Sequence, residues 1–225
     1  MARLTYFSHS AWQLETGKYT ILIDPFLNDN PNSPVKAKDV RADFIILTHA
    51  HGDHVGDTVE IAKTHNSLVI SNFEIANWAG TQGLNAHPMH IGGGHNFPFG
   101  HVKLTQAFHG SSFPDGTYGG MPVGVLITVE GKTIYHTGDT GLFGDMKLIR
   151  ELNPIDIALI PIGDNFTMGI TDALKAVEFL KPKETIPMHY RTFDVINSDP
   201  EEFVRAVKKM GFDAQVLAYG SSVTF

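Results

Sequence analysis

The sequence predicts an α/β protein built as a four-layer αββα sandwich, in which two packed mixed sheets carry helices on their outer faces. Two observations carry this prediction. Short strand-like segments alternate with helical segments in two comparable halves, and polar turns that contain histidine or aspartate repeatedly follow apolar strands. Because no linker, charge run or short repeat divides the 225 residues, we expect one domain spanning 1–225.

Composition narrows the class of protein and of partner. A formal net charge of −7 disfavours a nucleic-acid partner, which would need a basic stripe. The absence of cysteine excludes disulfides, thiolate metal ligands and a cysteine nucleophile. We see neither a secretion signal nor an apolar run of membrane-spanning length, so we expect a cytoplasmic protein that acts on a small molecule without membrane contact. Homo-oligomerisation is left open.

The first half opens with three strands. Alternating residues predict strands at 3–7, 11–16 and 19–24, and Pro25 ends the last of them because proline cannot extend the ladder. Residues 26–41 are rich in Asn, Asp and Pro, which indicates a surface loop long enough to border a cleft. The other elements predicted here are strands at 44–47 and 67–70 and helices at 56–65 and 72–80.

The second half begins with strand-like segments separated by turns. Gly92–Gly94 is interpreted as a hairpin turn, since no helix start follows that would make it a phosphate cradle. A second hairpin is predicted around Glu130-Gly131. The other elements are strands at 102–108, 123–129, 132–136, 155–160, 184–188 and 214–218, helices at 144–152 and 172–181, and a last helix between the capping box Ser198–Glu201 and Gly211.

The segment Thr48–His54 is the centre of the predicted chemistry. Three histidines and one aspartate fall within six positions, directly after the apolar strand Phe44–Leu47. A strand end followed by a tight glycine-containing turn aims several side chains into one pocket. Imidazole and carboxylate are the ligands that first-row divalent metals take. The sequence therefore predicts a metal site at this strand end, in preference to a chance cluster of surface histidines.

The pattern His-x-His-x-Asp-His resembles the signature of the metallo-β-lactamase superfamily, which has the αββα architecture with its metal site at one edge between the sheets. The resemblance covers essentially the whole chain, since its motifs run in the expected order. It implies two metal sites and one bridging carboxylate. The ligands it assigns are His49, His51 and His109 for the first metal, Asp53, His54 and His189 for the second, and Asp139 for both.

Further residues are assigned by the same resemblance. Asp24 matches an aspartate that supports the metal loops from behind the ligands, and Thr48 is a candidate for the same role. His101 is the rival of His109, although it lies at a strand start.

Four segments together resemble one branch of the superfamily, the small metal-dependent hydrolases related to L-ascorbate-6-phosphate lactonase. They are Ser8–Ala11, Ile23–Pro25, His49–His54 and Gly163–Met168. This resemblance implies a hydrolase, and the nitrogen and oxygen ligands suit two divalent ions (Zn, Mn, Fe or Ni). A metal-bridged hydroxide would cleave an ester-type bond, either a lactone or a phosphodiester, in a small metabolite that is phosphorylated or not. Asp53 and Asp139 are the catalytic candidates, which would orient the hydroxide or relay its proton.

Substrate contacts are predicted at four residues: His9, Asn165, Thr167 and Arg191. Arg191 follows His189 by two positions, where it would clamp a phosphate unless it is an ordinary surface arginine. Three alternative functions stay open. They are a phosphodiesterase acting on a cyclic nucleotide or another small diester, a mononuclear iron oxygenase, and a metal-binding protein without catalysis. The complete ligand set argues against the last two.

Overall fold

Two mixed sheets face each other in the computed structural model, which describes residues 1–225. The strands of the first sheet are β1 (Arg3–Ser8), β2 (Ala11–Glu15), β3 (Thr20–Ile23), β4 (Phe44–Ile46), β5 (Leu68–Asn72), β6 (Asn85–Met89) and β13 (Ser222–Thr224). Those of the second are β7 (Gly94–Phe97), β8 (Gly100–Gln106), β9 (Val123–Val129), β10 (Lys132–His136), β11 (Ile157–Pro161) and β12 (Glu184–Met188). The strand orders are β13-β1-β2-β3-β4-β5-β6 and β12-β11-β10-β9-β8-β7.

Strand direction brings several strand ends to the same place. Strand β2 pairs antiparallel with both β1 and β3, and β3 pairs parallel with β4, so β1, β3 and β4 all run the same way. In the second sheet β9 pairs antiparallel with β8 and β10, and β10, β11 and β12 are parallel. Consequently β8, β10, β11 and β12 also share one direction. The carboxyl ends of each set lie at a single edge of its sheet.

Alternation along the strands builds two cores. Ile21 and Ile23 of β3 belong to a core of 43 buried residues, which contains strands of both sheets and extends to helices on the outer face of the second sheet. Leu22, which points to the opposite face, belongs to a second core of 18 buried residues together with Ile61 and Ile75. The period of two in the sequence therefore separates an inner face from a helix-covered outer face.

The chain contains six α-helices: α1 (Gly52–Val55), α2 (Thr58–His65), α3 (Phe73–Thr81), α4 (Met146–Leu152), α5 (Ile170–Leu180) and α6 (Pro200–Lys209). Helices α2 and α3 supply residues to the core on the outer face of the first sheet. Helix α5 packs on β11 and α6 on β12, which covers the second sheet. The predicted αββα architecture is confirmed. No helix has both the length and the apolar character needed to cross a bilayer.

The helix expected at 56–65 is confirmed as α2, which begins two residues later, at Thr58. A separate single-turn helix, α1, which was not predicted, begins inside the metal motif at Gly52. Between them Gly56 has a left-handed φ of +42°, and a Cβ there would meet the backbone of Pro25 and Phe26. Glycine at this position allows the chain to change direction while α1 stays close to the end of β3. The start of the helix was predicted two residues too early because this change of direction depends on a tertiary contact.

Two predictions fail where the chain changes sheets. Gly92 and Gly93 do not form a hairpin turn, since they connect β6 of the first sheet with β7 of the second. The strand expected at 214–218 is absent apart from a single bridge between Ala214 and Thr185. The chain instead crosses to the first sheet and adds β13 beside β1. In both places the partner strand is distant in sequence, so local alternation did not reveal it.

Candidate metal centre

The residues of the predicted metal centre follow strands that run in the same direction. His9 follows β1, Asp24 follows β3, and His49 follows β4 in the first sheet. In the second sheet Asp139 comes after β10 and His189 comes after β12. Because each set of carboxyl ends lies at one edge of its sheet, the turns of both sheets meet there. Histidines and aspartates that are far apart in sequence thus become neighbours.

The first group consists of His49, His51 and His109, whose ligand atoms all lie within 4.8 Å of one another. Nε2 of His49 is 3.0 Å from Nδ1 of His51, and the ring of His109 lies 5.0 Å from each of the other two rings. Burial lowers the pKa of all three imidazoles, most strongly that of His49. They are therefore neutral at neutral pH, which is the form that binds a metal.

The second group contains Asp53, His54 and His189, and the structure adds His9 to it. Nε2 of His9 lies 3.0 Å from Oδ2 of Asp53, and the ring centroids of His9 and His189 are 4.1 Å apart. Burial alone would raise the pKa of the Asp53 carboxyl, but His54 and His9 hold it well below its usual range. The carboxylate is thus ionised.

Asp139 lies between the two groups. Its Oδ2 atom is 2.9 Å from Nε2 of His189 and 3.3 Å from Nε2 of His54 in the second group. The same oxygen is 3.7 Å from Nε2 of His109 in the first. Although burial opposes ionisation, His189 and His54 hold the pKa of this carboxyl well below its usual value. Asp139 therefore presents a buried carboxylate to both groups.

Asp24 and Thr48 form a buried support behind the histidines. Asp24 accepts hydrogen bonds from the Thr48 backbone N–H at 2.8 Å and from the Thr48 hydroxyl at 2.6 Å. Its Oδ2 also lies 2.7 Å from Nδ1 of His54, and the Thr48 hydroxyl lies 3.0 Å from Nδ1 of His49. Each contact leaves the Nε2 atom of that histidine facing the other ligands. This is how a carboxylate behind a ligand fixes the tautomer and direction of an imidazole.

The chemistry of these residues fits divalent metal ions. All donors are imidazole nitrogens or carboxylate oxygens, and Nε2 of His54 and Oδ1 of Asp139 are buried polar atoms without a hydrogen-bond partner. Burial disfavours charge on His54, yet Asp139, Asp24 and Asp53 together raise its pKa well above the usual value. The same carboxylates would attract a cation to this position.

His9 was predicted to contact substrate, and the structure places it elsewhere. Its side chain is fully buried, and Nδ1 lies 2.9 Å from the Thr192 hydroxyl while Nε2 faces Asp53. Burial, and to a smaller extent the neighbouring His189, lowers the pKa of His9 to about 4. His9 is therefore a neutral hydrogen-bonding partner of Asp53, and solvent does not reach it. Its position after a strand, which it shares with the ligands, predicted only that His9 lies in the cleft.

The other predicted substrate contacts have different positions. Asn165 is exposed and Thr167 is half-buried on the turn after β11, where Met168 donates its N–H to the Thr140 carbonyl beside Asp139. Both remain predicted contacts. The guanidinium of Arg191 instead lies 3.0 Å from Asp199 and 3.4 Å from Glu201 at the start of α6. Because two carboxylates already pair with this cation, the structure argues against the predicted phosphate clamp, which the Arg191→Met variant tests.

The rival ligand His101 lies at the beginning of β8, away from the carboxyl end of that strand. It belongs to neither group, whereas His109 joins His49 and His51. Position relative to strand direction thus separates the two candidates.

The chain resembles known proteins in sequence. Residues 19–190 match the family model described as "Beta-lactamase superfamily domain". A UPF0173 metal-dependent hydrolase of Bacillus mycoides is 56% identical over 229 residues, with 100% of each chain covered. A protein of the same description from Bacillus thuringiensis is 55% identical over 99% of both chains.

The solved structures include a close match to the whole fold. Igni18, described as a metallo hydrolase from the archaeon Ignicoccus hospitalis, superposes with a TM-score of 0.92 at 38% identity, covering 100% of this chain and 98% of that one. Since the overlap extends across both sheets, the likeness includes the turns that carry both groups of histidines.

Proposed function

The chain belongs to the beta-lactamase superfamily domain family and is a metal-dependent hydrolase of the UPF0173 type, and from this premise we propose that it holds two divalent ions and cleaves an ester-type bond in a small molecule. The observation that carries the proposal is the position of Asp139 between two groups of ligand atoms. His49, His51 and His109 would hold one ion. The second would be held by Asp53, His54 and His189, with Asp139 shared.

Two divalent ions in such a site supply Lewis acidity and lower the pKa of a water molecule toward neutrality. The protein residues perform the remaining tasks. Asp24 and Thr48 keep the Nε2 atoms of His54 and His49 directed into the site. His9 donates its Nε2–H to Oδ2 of Asp53, which leaves Oδ1 of that carboxylate for a water.

Proton transfer is assigned to the carboxylates. The Asp53 side chain is 28% exposed, so solvent reaches it, whereas Asp139 is buried. Asp53 is therefore the group we propose to orient the attacking water and accept its proton, which it would then pass to the leaving oxygen. Asp139 would hold the two halves of the site together. No seryl or cysteinyl nucleophile is needed in this scheme.

The bond that we propose is a lactone or a phosphodiester, and a cyclic-nucleotide phosphodiesterase is the alternative within the same chemistry. A mononuclear oxygenase would require only one of the two groups. The presence of a second complete group, supported by Asp24, favours hydrolysis with two ions. The proposal includes bound metal ions, a small-molecule substrate and a cytoplasmic location.

The test combines metal content with a substrate screen. Protein purified without added metal would be measured by elemental analysis beside the His51→Ala and His54→Ala variants, with His95→Ala, an exposed histidine outside both groups, as the control. We expect about two ions per chain, falling to about one in either variant. Lactones, carboxylic esters and phosphodiesters would then be assayed after reconstitution. One ion per chain that is unaffected by His54→Ala would refute the two-metal proposal.

A further inference from the structure

A cleft of about 490 Å³ lies beside the turn that carries the metal motif. It is bounded by α1, the start of α2, α3, the loop after β3 and the loop after His109. Its volume falls in the range of small-molecule pockets. The apolar side chains that line it are Phe26, Val55, Val59, Trp78, Phe113 and Pro114.

The cleft lies beside the turn that carries ligands of both groups. Gly52, one of its lining residues, is the chain neighbour of both His51 and Asp53. The ring of Phe26, another lining residue, lies 5.8 Å from the ring of His9, which contacts Asp53. The cleft therefore borders the turn that carries His51 and Asp53, while the ligand side chains themselves are not among its lining residues.

The walls of the cleft are fixed by contacts within the protein. Trp78 stacks on Phe113 with ring centroids 4.5 Å apart and an angle of 28° between the planes. Across the cleft, Oδ2 of Asp57 accepts the backbone N–H groups of Leu27 and Asn28, both at 2.8 Å. The cavity is therefore formed before any ligand binds.

The charges of the cleft are all of one sign. Asp29, Asp57 and Asp115 are its only charged lining residues, and no Lys, Arg or His lines it. The backbone N–H of Thr117 lowers the pKa of the Asp115 carboxyl, so that group is ionised at neutral pH. An anionic group would be repelled from these walls, whereas an apolar group would gain the free energy of burial.

We propose that this cleft binds an uncharged alkyl or aryl group attached to the scissile bond of the substrate. The assignment to substrate rests on the proposed function. The proposal favours neutral carboxylic esters and lactones that carry an apolar group as substrates. It disfavours phosphorylated metabolites. The metal centre would act on the bond, and the cleft would select the arm.

Tryptophan fluorescence provides a direct test of binding. The chain has two tryptophans, of which Trp12 is fully buried in the core between the sheets and Trp78 lines the cleft. The purified holoprotein would be titrated with 1-hexanol, hexyltrimethylammonium and hexyl sulfate, which share one alkyl chain. We expect saturable emission changes with the alcohol and the cation, absent in Trp78→Phe, and at least tenfold weaker binding of the sulfate.

Two cleft variants make the result specific. Val59→Phe should fill the cleft and weaken hexanol binding at least tenfold, and the matched control Met210→Phe, at the end of α6, should not. Asp29→Lys changes an exposed side chain and should strengthen sulfate binding severalfold, unlike the exposed control Asp213→Lys. The proposal is overturned if no probe binds, if sulfate binds as tightly as hexanol, or if neither cleft variant changes affinity.

A parallel assay separates this inference from the proposed function. In a series of neutral esters, kcat/KM should rise about fourfold for each added methylene until the cleft is filled. Hexanol binding without hydrolysis of any ester would leave the cleft assignment intact and refute the proposed function. Hydrolysis whose chain-length dependence in Val59→Phe is the same as in the unmodified protein would refute the cleft assignment alone.

Discussion

Nε2 of His9 lies 3.0 Å from Oδ2 of Asp53, and the carbonyl oxygen of the same histidine accepts the backbone N–H of His189 at 2.8 Å. One residue at the end of β1 thus contacts two proposed ligands of the second ion. The backbone at His9 and at His189 has left-handed φ values of 54° and 55°. Such values are costly for residues other than glycine, and they persist where surrounding contacts impose them.

Replacing His9 by alanine should weaken the second metal site selectively. Without the imidazole, Asp53 loses the partner that fixes its carboxylate, so we expect affinity for one ion to fall about 10–100-fold while the other is unchanged. Competition titration with a chromophoric chelator would resolve the two affinities, and His95→Ala is the control. A variant that keeps both affinities, or loses both equally, would show that His9 does not position Asp53.

Asp24→Asn should loosen both the metal turn and the fold. Oδ2 of Asp24 accepts from the Thr48 hydroxyl and from Nδ1 of His54, and an amide NH₂ group in its place would accept neither. Two charge-assisted hydrogen bonds in a fully buried position would be lost, so the free energy of unfolding should fall by about 2–4 kcal/mol. Urea denaturation of the purified protein measures this change.

The same substitution should also alter metal binding. His54 would lose the partner that holds its proton on Nδ1, so affinity for its ion should decrease about 10–100-fold. The exposed residue Asp213, changed to asparagine, serves as the control. Unchanged metal affinity in a folded Asp24→Asn protein would contradict the supporting role of Asp24.

Removal of metal should lower thermal stability. Each ion that binds the native chain at a concentration 100-fold above its Kd contributes about 2.7 kcal/mol, which for a chain of 225 residues corresponds to a Tm change of about 5–10 °C per ion. Calorimetry before and after chelation, followed by readdition of Zn²⁺ or Mn²⁺, would measure the change. An identical Tm in all three samples would mean that the histidine groups do not hold ions in the native protein.

Much of this architecture could be predicted because local patterns carried it. The strands around the metal motif are short apolar runs, and the polar residues that follow them, such as Asp24 and His189, lie at strand ends that the fold brings together. The role of His9 could not be predicted in the same way. It depends on the approach of Asp53 from a helical turn that sequence periodicity did not indicate, and the flanking Ser8 and Ser10 gave no sign of a ligand partner.

The remaining errors have the same origin. Strand β13 pairs with β1 at the opposite end of the chain, and Gly92 and Gly93 connect two different sheets. Such pairings are decided by the packing of whole layers, which a local window does not contain. The position of Arg191 likewise depends on where α6 begins, because its partners Asp199 and Glu201 are brought to it by that helix.

Arg191→Met should therefore leave hydrolysis unchanged. The guanidinium is 43% exposed and is paired with Asp199 and Glu201, so its removal should lower the free energy of unfolding by no more than about 1 kcal/mol. Because no contact leads from this side chain into the metal centre, kcat/KM for neutral and for anionic esters should stay within about twofold of the unmodified protein. Steady-state kinetics with matched ester pairs would measure both values. A loss of more than tenfold that is confined to anionic esters would restore the phosphate clamp and would also count against the apolar cleft as the main determinant of specificity.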